Sequence, residues 1–180
     1  TQFECFQTFA VMQRWVKGQQ IISIVRRNGS QAPLFILAEP HEVELDANPD
    51  FDIDGIRMSY QSLTVPHTTA WYSCETNELT TLKQVQVNNC DLTQYVSERT
   101  WATAEDGALI PVDIVRHRDT PLNGTAPAMA YVYGAYEISV APWFSVARLS
   151  LLDRGWVWAL AHPRGGGEMG KQWYEDGKLL

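Results

Sequence analysis

The residues with the clearest chemical potential are three tyrosines close together in the chain, Tyr131, Tyr133 and Tyr136. Tyr131 and Tyr133 belong to a short apolar run, residues 128–133, of the kind that forms strands buried on both faces, and Tyr136 follows it. Because α/β sheets bind ligands at the carboxyl ends of their strands, the sequence places these side chains where a ligand would lie. A phenol keeps its proton at neutral pH and can donate a hydrogen bond to a developing oxyanion. Aromatic packing explains the same residues, and both interpretations stay open.

A second candidate is the run Arg-Gly-Gly-Gly-Glu at residues 164–168. Glycines allow backbone N–H groups to approach an anion closely, and the run also resembles the oxyanion segment of lipases. It has neither the Gly-Lys-Ser/Thr of a P-loop nor the spacing of a dinucleotide-binding loop. The sequence therefore favours a structural loop with close backbone packing over an anion site.

An acidic segment offers a weaker candidate for metal binding. Asp50, Asp52 and Asp54, followed by Gly55, resemble the start of an EF-hand calcium loop, but position twelve is the uncharged Gln61. The flanking residues also have strand patterns instead of helical ones. We therefore expect a solvated acidic loop.

The four histidines, His41, His67, His117 and His162, stand far apart and lack neighbours that would complete a metal site or a catalytic pair. Each is expected to be a surface residue or a core residue with satisfied hydrogen bonds. No Gly-x-Ser-x-Gly run occurs, so a serine nucleophile of that type is absent from this sequence. The residues predict neither a metal nor a cofactor.

The elements that carry these residues change character near residues 88–95. Before that point the pattern is entirely β, with a type I′ hairpin signal at Asn28-Gly29. Short strands at intervals of about ten residues predict a meander, which a sandwich, a barrel or propeller blades would all satisfy. The predicted strands are residues 6–15, 20–26, 33–38, 56–63, 68–74 and 79–87.

The second half has an α/β pattern. Two alternating runs flank the turn at residues 105–107, and apolar strands follow at residues 128–133 and 156–161. Between the latter, residues 144–154 have helical spacing, with Gly155 as a stop signal. Strand, helix and strand with short connections predict a βαβ unit and a parallel sheet. A further helix is expected after residue 168.

Composition restricts the function classes. The 180 residues are 45% apolar and carry a formal charge of −7 with both signs interspersed, so we expect no nucleic-acid partner. No apolar run reaches the ~20 residues of a membrane span. Cys5, Cys74 and Cys90 are too few and too scattered for a zinc site or a disulfide framework, which predicts a cytoplasmic location. The chain has no initiator methionine and is interpreted as a fragment.

Several segments in the right order resemble the prolyl oligopeptidase family of serine peptidases. Residues 164–168, followed by residues 173–178, closely resemble a motif of that family. Three more segments resemble its oligopeptidase B branch: residues 59–66, 95–104 and 149–155. The similarity extends from about residue 26 to the last residue.

That resemblance implies a β-propeller joined to an α/β-hydrolase domain. Residues 1–92 would be C-terminal blades of the propeller, and residues 93–180 the N-terminal half of the hydrolase domain, truncated before the nucleophile. Members cleave short peptides, and the oligopeptidase B branch cuts after Lys or Arg. The tyrosine of the family's oxyanion hole falls on Tyr133, and an aromatic of its substrate pocket falls on Tyr136.

The implied function is that of a serine oligopeptidase acting through an acyl-enzyme, with the 180-residue chain inactive by itself. One departure concerns specificity: Glu137 stands where the oligopeptidase B branch usually has glycine, and residues 138–142 are closer to the prolyl branch. The alternative is a non-catalytic β-rich binding or regulatory protein derived from a peptidase.

Overall fold

The structure, a computed structural model, describes residues 2–34 and 36–179. It arranges them in three four-stranded sheets with two short α-helices and a 3₁₀ helix (Leu92–Gln94), which agrees with the predicted β-rich character. Within the described residues, no helix has the length and apolar character needed to cross a bilayer. Cys5, Cys74 and Cys90 are unpaired thiols.

The first sheet is an antiparallel meander in the order β1-β2-β3-β4. Its strands are β1 (Gln2–Cys5), β2 (Phe9–Val16), β3 (Gln19–Arg26) and β4 (Gln31–Pro33). Lys17 and Gly18 connect β2 to β3, and both have positive φ, 50° and 77°. A two-residue connection with both residues left-handed is the backbone of a type I′ turn.

The type I′ turn predicted at Asn28-Gly29 is wrong. Of these two residues only Gly29 is left-handed, with φ 81°. Its N–H donates to the carbonyl oxygen of Arg26 at 2.9 Å. A longer connection that ends with a left-handed glycine therefore joins β3 to β4.

The strand predicted at residues 33–38 is also wrong. β4 ends at Pro33, and Ile36 is turned into the core with 9% exposure. The apolar composition of this run reflects a loop that packs on the core, not a strand. Phe35, within the predicted strand, lies outside the described residues.

The second sheet is another antiparallel meander, in the order β5-β6-β7-β8. Its strands are β5 (His41–Leu45), β6 (Gly55–Ser62), β7 (Thr68–Ser73) and β8 (Leu79–Gln84). β1 and β5 were not predicted. The first two sheets share one apolar core, whose fully buried members include Val11, Ile22, Val43, Ile56 and Met58. Burying each such side chain contributes roughly 1.5–3 kcal/mol.

The third sheet has the order β11-β12-β10-β9. Its strands are β9 (Tyr95–Thr103), β10 (Leu109–His117), β11 (Ala128–Val132) and β12 (Val157–Ala161). β11 and β12 are parallel and lie on either side of α1 (Val146–Leu152) in the chain, which confirms the predicted βαβ unit. β10 pairs antiparallel with both β9 and β12, so the sheet is mixed and not purely parallel.

β11 is not buried on both faces, contrary to the expectation from its apolar sequence. Met129, Tyr131 and Val132 are 48%, 43% and 58% exposed. The reason is topological, because β11 is an outer strand and pairs only with β12 among the described residues. The helix expected after residue 168 is confirmed only as the short α2 (Lys171–Glu175).

Candidate active site

The three candidate tyrosines occupy different surroundings. The ring of Tyr131 meets that of Trp143 edge-on, with centroids 5.4 Å apart, so aromatic packing accounts for it. Tyr133 follows the last residue of β11 and is half-buried. Tyr136 is 82% exposed. Tyr133 and Tyr136 therefore both lie just after the carboxyl end of β11, and Tyr136 is open to a bound ligand.

The backbone of this turn is unusual. Tyr136 and Glu137 have φ of 58° and 60°, a left-handed conformation that side-chain-bearing residues rarely adopt in succession. The Glu137 N–H donates to the carbonyl oxygen of Gly165 at 3.0 Å, and the Ile138 N–H to that of Ala135 at 3.1 Å. Such strained conformations persist where neighbouring structure enforces them, and they concentrate at functional sites.

The glycine-rich run packs directly against this turn. A Cβ on Gly165 would overlap the carbonyl oxygen of Gly134, and a Cβ on Gly134 would overlap Pro163. The Gly165 N–H donates to the carbonyl oxygen of Trp173 at 2.9 Å, so it is already used within the protein. These contacts agree with close backbone packing instead of an anion site.

A buried network of charged side chains lies behind the glycine-rich run. Arg99 makes a two-pronged ion pair with Asp113, with Nε–Oδ1 and Nη2–Oδ2 distances of 2.6 and 2.7 Å. His162 Nε2 is 3.0 Å from Asp113 Oδ2, and His162 Nδ1 is 3.4 Å from Glu168 Oε1. Asp113, His162 and Glu168 are completely buried. Glu168 Oε1 also accepts the N–H of Val140 at 2.8 Å.

The electrostatics of the network favour ionised partners. Burial opposes the charged form of His162, but its hydrogen bonds to Asp113 and Glu168 and their charges outweigh burial and raise its pKa. Burial would by itself raise the pKa of Asp113, but the hydrogen bonds from His162 and Arg99 hold that pKa below its usual value. These two shifts favour a protonated His162 imidazole beside an ionised Asp113.

An arginine is enclosed by aromatic rings on the neighbouring part of the sheet. The Arg148 Cζ lies 3.7 Å from the ring centroid of Trp158 and 5.0 Å from that of Trp143. Its Nη1 donates to the carbonyl oxygen of Trp143 at 2.9 Å. Burial lowers the pKa of Arg148 to about 10. This cation–π cluster ties α1 to β12 beneath Tyr131.

The other sequence candidates lie elsewhere. Asp50, Asp52 and Asp54 are exposed before β6, which agrees with a solvated acidic loop. The part of the chain that the structure describes contains no group of three or more side chains able to hold a metal ion. His41 is buried with Nδ1 2.8 Å from the carbonyl oxygen of Glu39, the satisfied core environment that was expected.

Sequence reasoning expected His162 to be either a surface residue or a satisfied core residue; it is the latter, and its partners were not predicted. A signal for one pair exists, because β9 and β10 flank a tight turn and that hairpin places Arg99 directly opposite Asp113. Opposite charges at facing positions of a hairpin stabilise it. Glu168 carries no such signal, since its contacts depend on how the glycine-rich run packs.

Comparison with known proteins places this chain in a family. Residues 142–180 match the model of the prolyl oligopeptidase family. Dipeptidyl aminopeptidase BI of Pseudoxanthomonas mexicana is 42% identical over 178 residues, 98% of this chain and 25% of that protein. Protease 2 of Moraxella lacunata is 36% identical over 140 residues, 77% of this chain and 20% of that protein. The chain belongs to the prolyl oligopeptidase family.

Solved structures agree with the family assignment. Oligopeptidase B from Trypanosoma brucei with covalently bound antipain, in a closed form, superposes with a TM-score of 0.89 at 29% identity, over 98% of this chain. Prolyl oligopeptidase B from Galerina marginata bound to a 25mer macrocyclization substrate gives 0.87 at 28% identity, also over 98% of this chain. The chain spans 26% and 25% of the lengths of these two proteins. The resemblance seen in the sequence motifs is thus confirmed.

Proposed function

We propose that these residues are part of a serine oligopeptidase that hydrolyses short peptides through an acyl-enzyme. A serine hydroxyl attacks the scissile carbonyl, a histidine takes its proton and returns it to the leaving amine, and water then releases the acyl group. The serine, histidine and aspartate would come from a part of the parent protein outside these 180 residues. The chain alone is therefore expected to be inactive.

The fold supports a division into two units on either side of residue 92. In this proposal the first two sheets are propeller blades, because each is a four-stranded antiparallel meander. The third sheet is the start of an α/β-hydrolase domain, supported by its parallel β11-α1-β12 unit. The two apolar clusters, one around Ile56 and one around Leu152, support most of this division, and Leu63 of the first unit packs into the second cluster.

Tyr133 is the catalytic residue of this proposal, and its position carries the argument. It is half-buried at the carboxyl end of a strand that has a parallel neighbour, which is where α/β sheets assemble sites. Its hydroxyl would donate to the oxyanion of the tetrahedral intermediate. Tyr136, exposed three residues later, would contact the peptide substrate.

Peptides are the proposed substrates, with cleavage after Lys or Arg. The peptide class is supported by the peptide substrate bound to the Galerina marginata relative. The Lys/Arg preference rests on the sequence segments that resemble the oligopeptidase B branch and on the structural similarity to oligopeptidase B. A cytoplasmic location is proposed from the three free thiols, which suit a reducing compartment.

The test is Tyr133→Phe in the full-length protein that contains these residues. Loss of one oxyanion donor lowers kcat by about 10²–10³-fold. Tyr131→Phe is the matched control, because it removes a hydroxyl from the same segment but from a ring that packs against Trp143. Turnover would be measured with short fluorogenic peptides bearing Arg, Lys, Pro or Ala before the reporter. Unchanged kcat in Tyr133→Phe would remove this assignment.

A further inference from the structure

Glu168 is the most constrained side chain behind the candidate site. It is completely buried, and Oε1 accepts the Val140 N–H at 2.8 Å while lying 3.4 Å from His162 Nδ1. Oε2 is buried without a hydrogen-bond partner and lies against Gly166, where any Cβ would overlap it. A buried carboxylate that is incompletely satisfied is costly, so it needs a compensating charge.

His162 supplies that charge and connects Glu168 to the sheet. Its ring bridges Glu168 Oε1 and Asp113 Oδ2, and Asp113 is held in turn by both prongs of Arg99. β10 and β9 carry Asp113 and Arg99 at facing positions. The network therefore connects Glu168 to two paired strands.

From Glu168 the constraint passes to the turn after β11, residues 134–140, which directly follows Tyr133 and contains Tyr136. The Val140 N–H bond anchors one end of residues 134–140, and the Glu137 N–H bond to Gly165 anchors its middle. A Cβ on Gly167 would overlap the carbonyl oxygen of Glu137, so the two segments are in direct backbone contact. The left-handed backbone of Tyr136 and Glu137 needs such enforcement.

We propose that Glu168 and His162 are positioning residues for the oxyanion-stabilising turn, acting through Tyr133 instead of touching substrate. This inference rests on the proposed function. The charged pair holds the glycine-rich run against residues 134–140, and that run holds the Tyr133 hydroxyl where the oxyanion forms. A displacement of about 1 Å at such a donor lowers turnover by up to about 100-fold.

A double-mutant cycle distinguishes this role from general stabilisation. The four proteins are the full-length parent, Tyr133→Phe, Glu168→Gln and the double variant, assayed for kcat and KM with the same fluorogenic peptides. Glu168→Gln keeps the shape but removes the charge that faces His162. We expect it to lower kcat by about 10–100-fold with KM changed less than about threefold, since the loss is in transition-state stabilisation. The double variant should lose no more than about threefold beyond Tyr133→Phe, because residues that act as a unit are not additive.

The controls keep the test decisive. Glu105→Gln makes the same change in an exposed turn and should match the parent. If Glu168→Gln does not fold, as judged by its melting curve, His162→Gln takes its place in the same cycle with the same expectation. Multiplicative losses, or parental kcat in the single variant, would overturn the positioning role while leaving the peptidase proposal standing. A parent that cleaves none of the peptides would instead overturn both.

Discussion

At His162 the protein buries an imidazole between two carboxylates, Asp113 and Glu168. Burial alone disfavours the charged ring. The pKa of His162 is nevertheless raised, because its hydrogen bonds to Asp113 and Glu168 and their charges favour the protonated ring. Arg99, on the far side of Asp113, is the remaining charged group of the network. A group whose pKa is raised by folding stabilises the folded state most at pH values below its ordinary pKa.

The contribution of His162 to the stability of the folded protein should therefore depend on pH. The stabilisation from His162 is complete below its ordinary pKa of 6.5 and is lost as pH rises through the raised pKa of the folded state. Asp113 has a lowered pKa, so its contribution is lost only as pH falls below about its ordinary value of 3.8. We expect the difference in melting temperature between the full-length parent and His162→Gln to be largest near about pH 6 and to shrink toward about pH 9.

A matched control is available at His67, an exposed histidine in the connection between β6 and β7 of the second sheet. His67→Gln removes an imidazole without touching the buried network, and its melting difference should stay small throughout the same pH range. A His162→Gln difference that grew with pH would contradict a protonated imidazole at this position.

At the scale of elements, the candidate site depends on how a loop meets the end of a strand. The glycine-rich run lies directly against the turn after β11. A side chain at Gly165 or at Gly134 would overlap the neighbouring segment. Gly165 and Gly107 both have positive φ, 99° and 85°. A Cβ on Gly107, however, meets nothing within 4 Å.

Alanine substitutions at Gly107 and Gly165 distinguish the cost of a left-handed backbone from the cost of a steric overlap. Gly107→Ala should destabilise the full-length protein by only about 1–2 kcal/mol, the ordinary penalty of a left-handed alanine. Gly165→Ala should destabilise it clearly more and also lower kcat, because the new Cβ must push Gly134 and with it Tyr133. Denaturant unfolding followed by fluorescence and kcat with fluorogenic peptides would measure both effects. Equal losses of unfolding free energy and of kcat in the two variants would show that the contact between Gly165 and Gly134 affects neither stability nor turnover.

The sequence was most informative about elements whose pattern is local. Alternation and turn residues identified most strands, and the helical spacing with Gly155 identified α1. β5 was not predicted because it is short and rich in acidic residues. Its buried residues, His41 and Val43, do alternate with Glu42 and Glu44, as in a strand with one buried face. The run after Pro33 was mistaken for a strand because apolar residues alone do not distinguish a strand from a loop that covers a core.

The candidate site was predictable only in part, for a related reason. The location of Tyr133 and Tyr136 after a strand end was predictable, because sequence order reveals it, and their roles stay a prediction from the family resemblance. The pairing of Arg99 with Asp113 was accessible from hairpin register. Glu168 was not, because its role depends on Val140 and His162, which reach it only through tertiary packing.

At the scale of the whole molecule, hydrogen bonds from the backbone and from a side chain join the first sheet to the third. The Gly18 N–H donates to the carbonyl oxygen of Glu168 at 3.2 Å, and Arg99 Nη1 donates to that of Lys17 at 3.3 Å. The tip of the β2–β3 hairpin thus touches two members of the buried charge network. A movement that separated the first sheet from the third at this hairpin would break these hydrogen bonds, which lie next to the residues that support the candidate site.

The opposite side of the third sheet carries an exposed strand edge. β11 pairs only with β12 among the described residues, and Val132 is 58% exposed at its end. An unpaired, apolar strand edge is a template for pairing with another chain. We therefore expect the isolated 180-residue chain to self-associate.

Two lysine substitutions test the origin of that association. Val132→Lys places a charge on the β11 edge and should shift the isolated chain toward monomer, because a charged edge strand resists pairing. Leu122→Lys is the control, since Leu122 has a similar exposure of 54% but lies in a loop between strands. Sedimentation velocity over a range of concentrations would measure both variants. A parent chain that sediments as a monomer would contradict the edge argument, and equal effects of the two lysines would show that charge alone, not the strand edge, controls solubility.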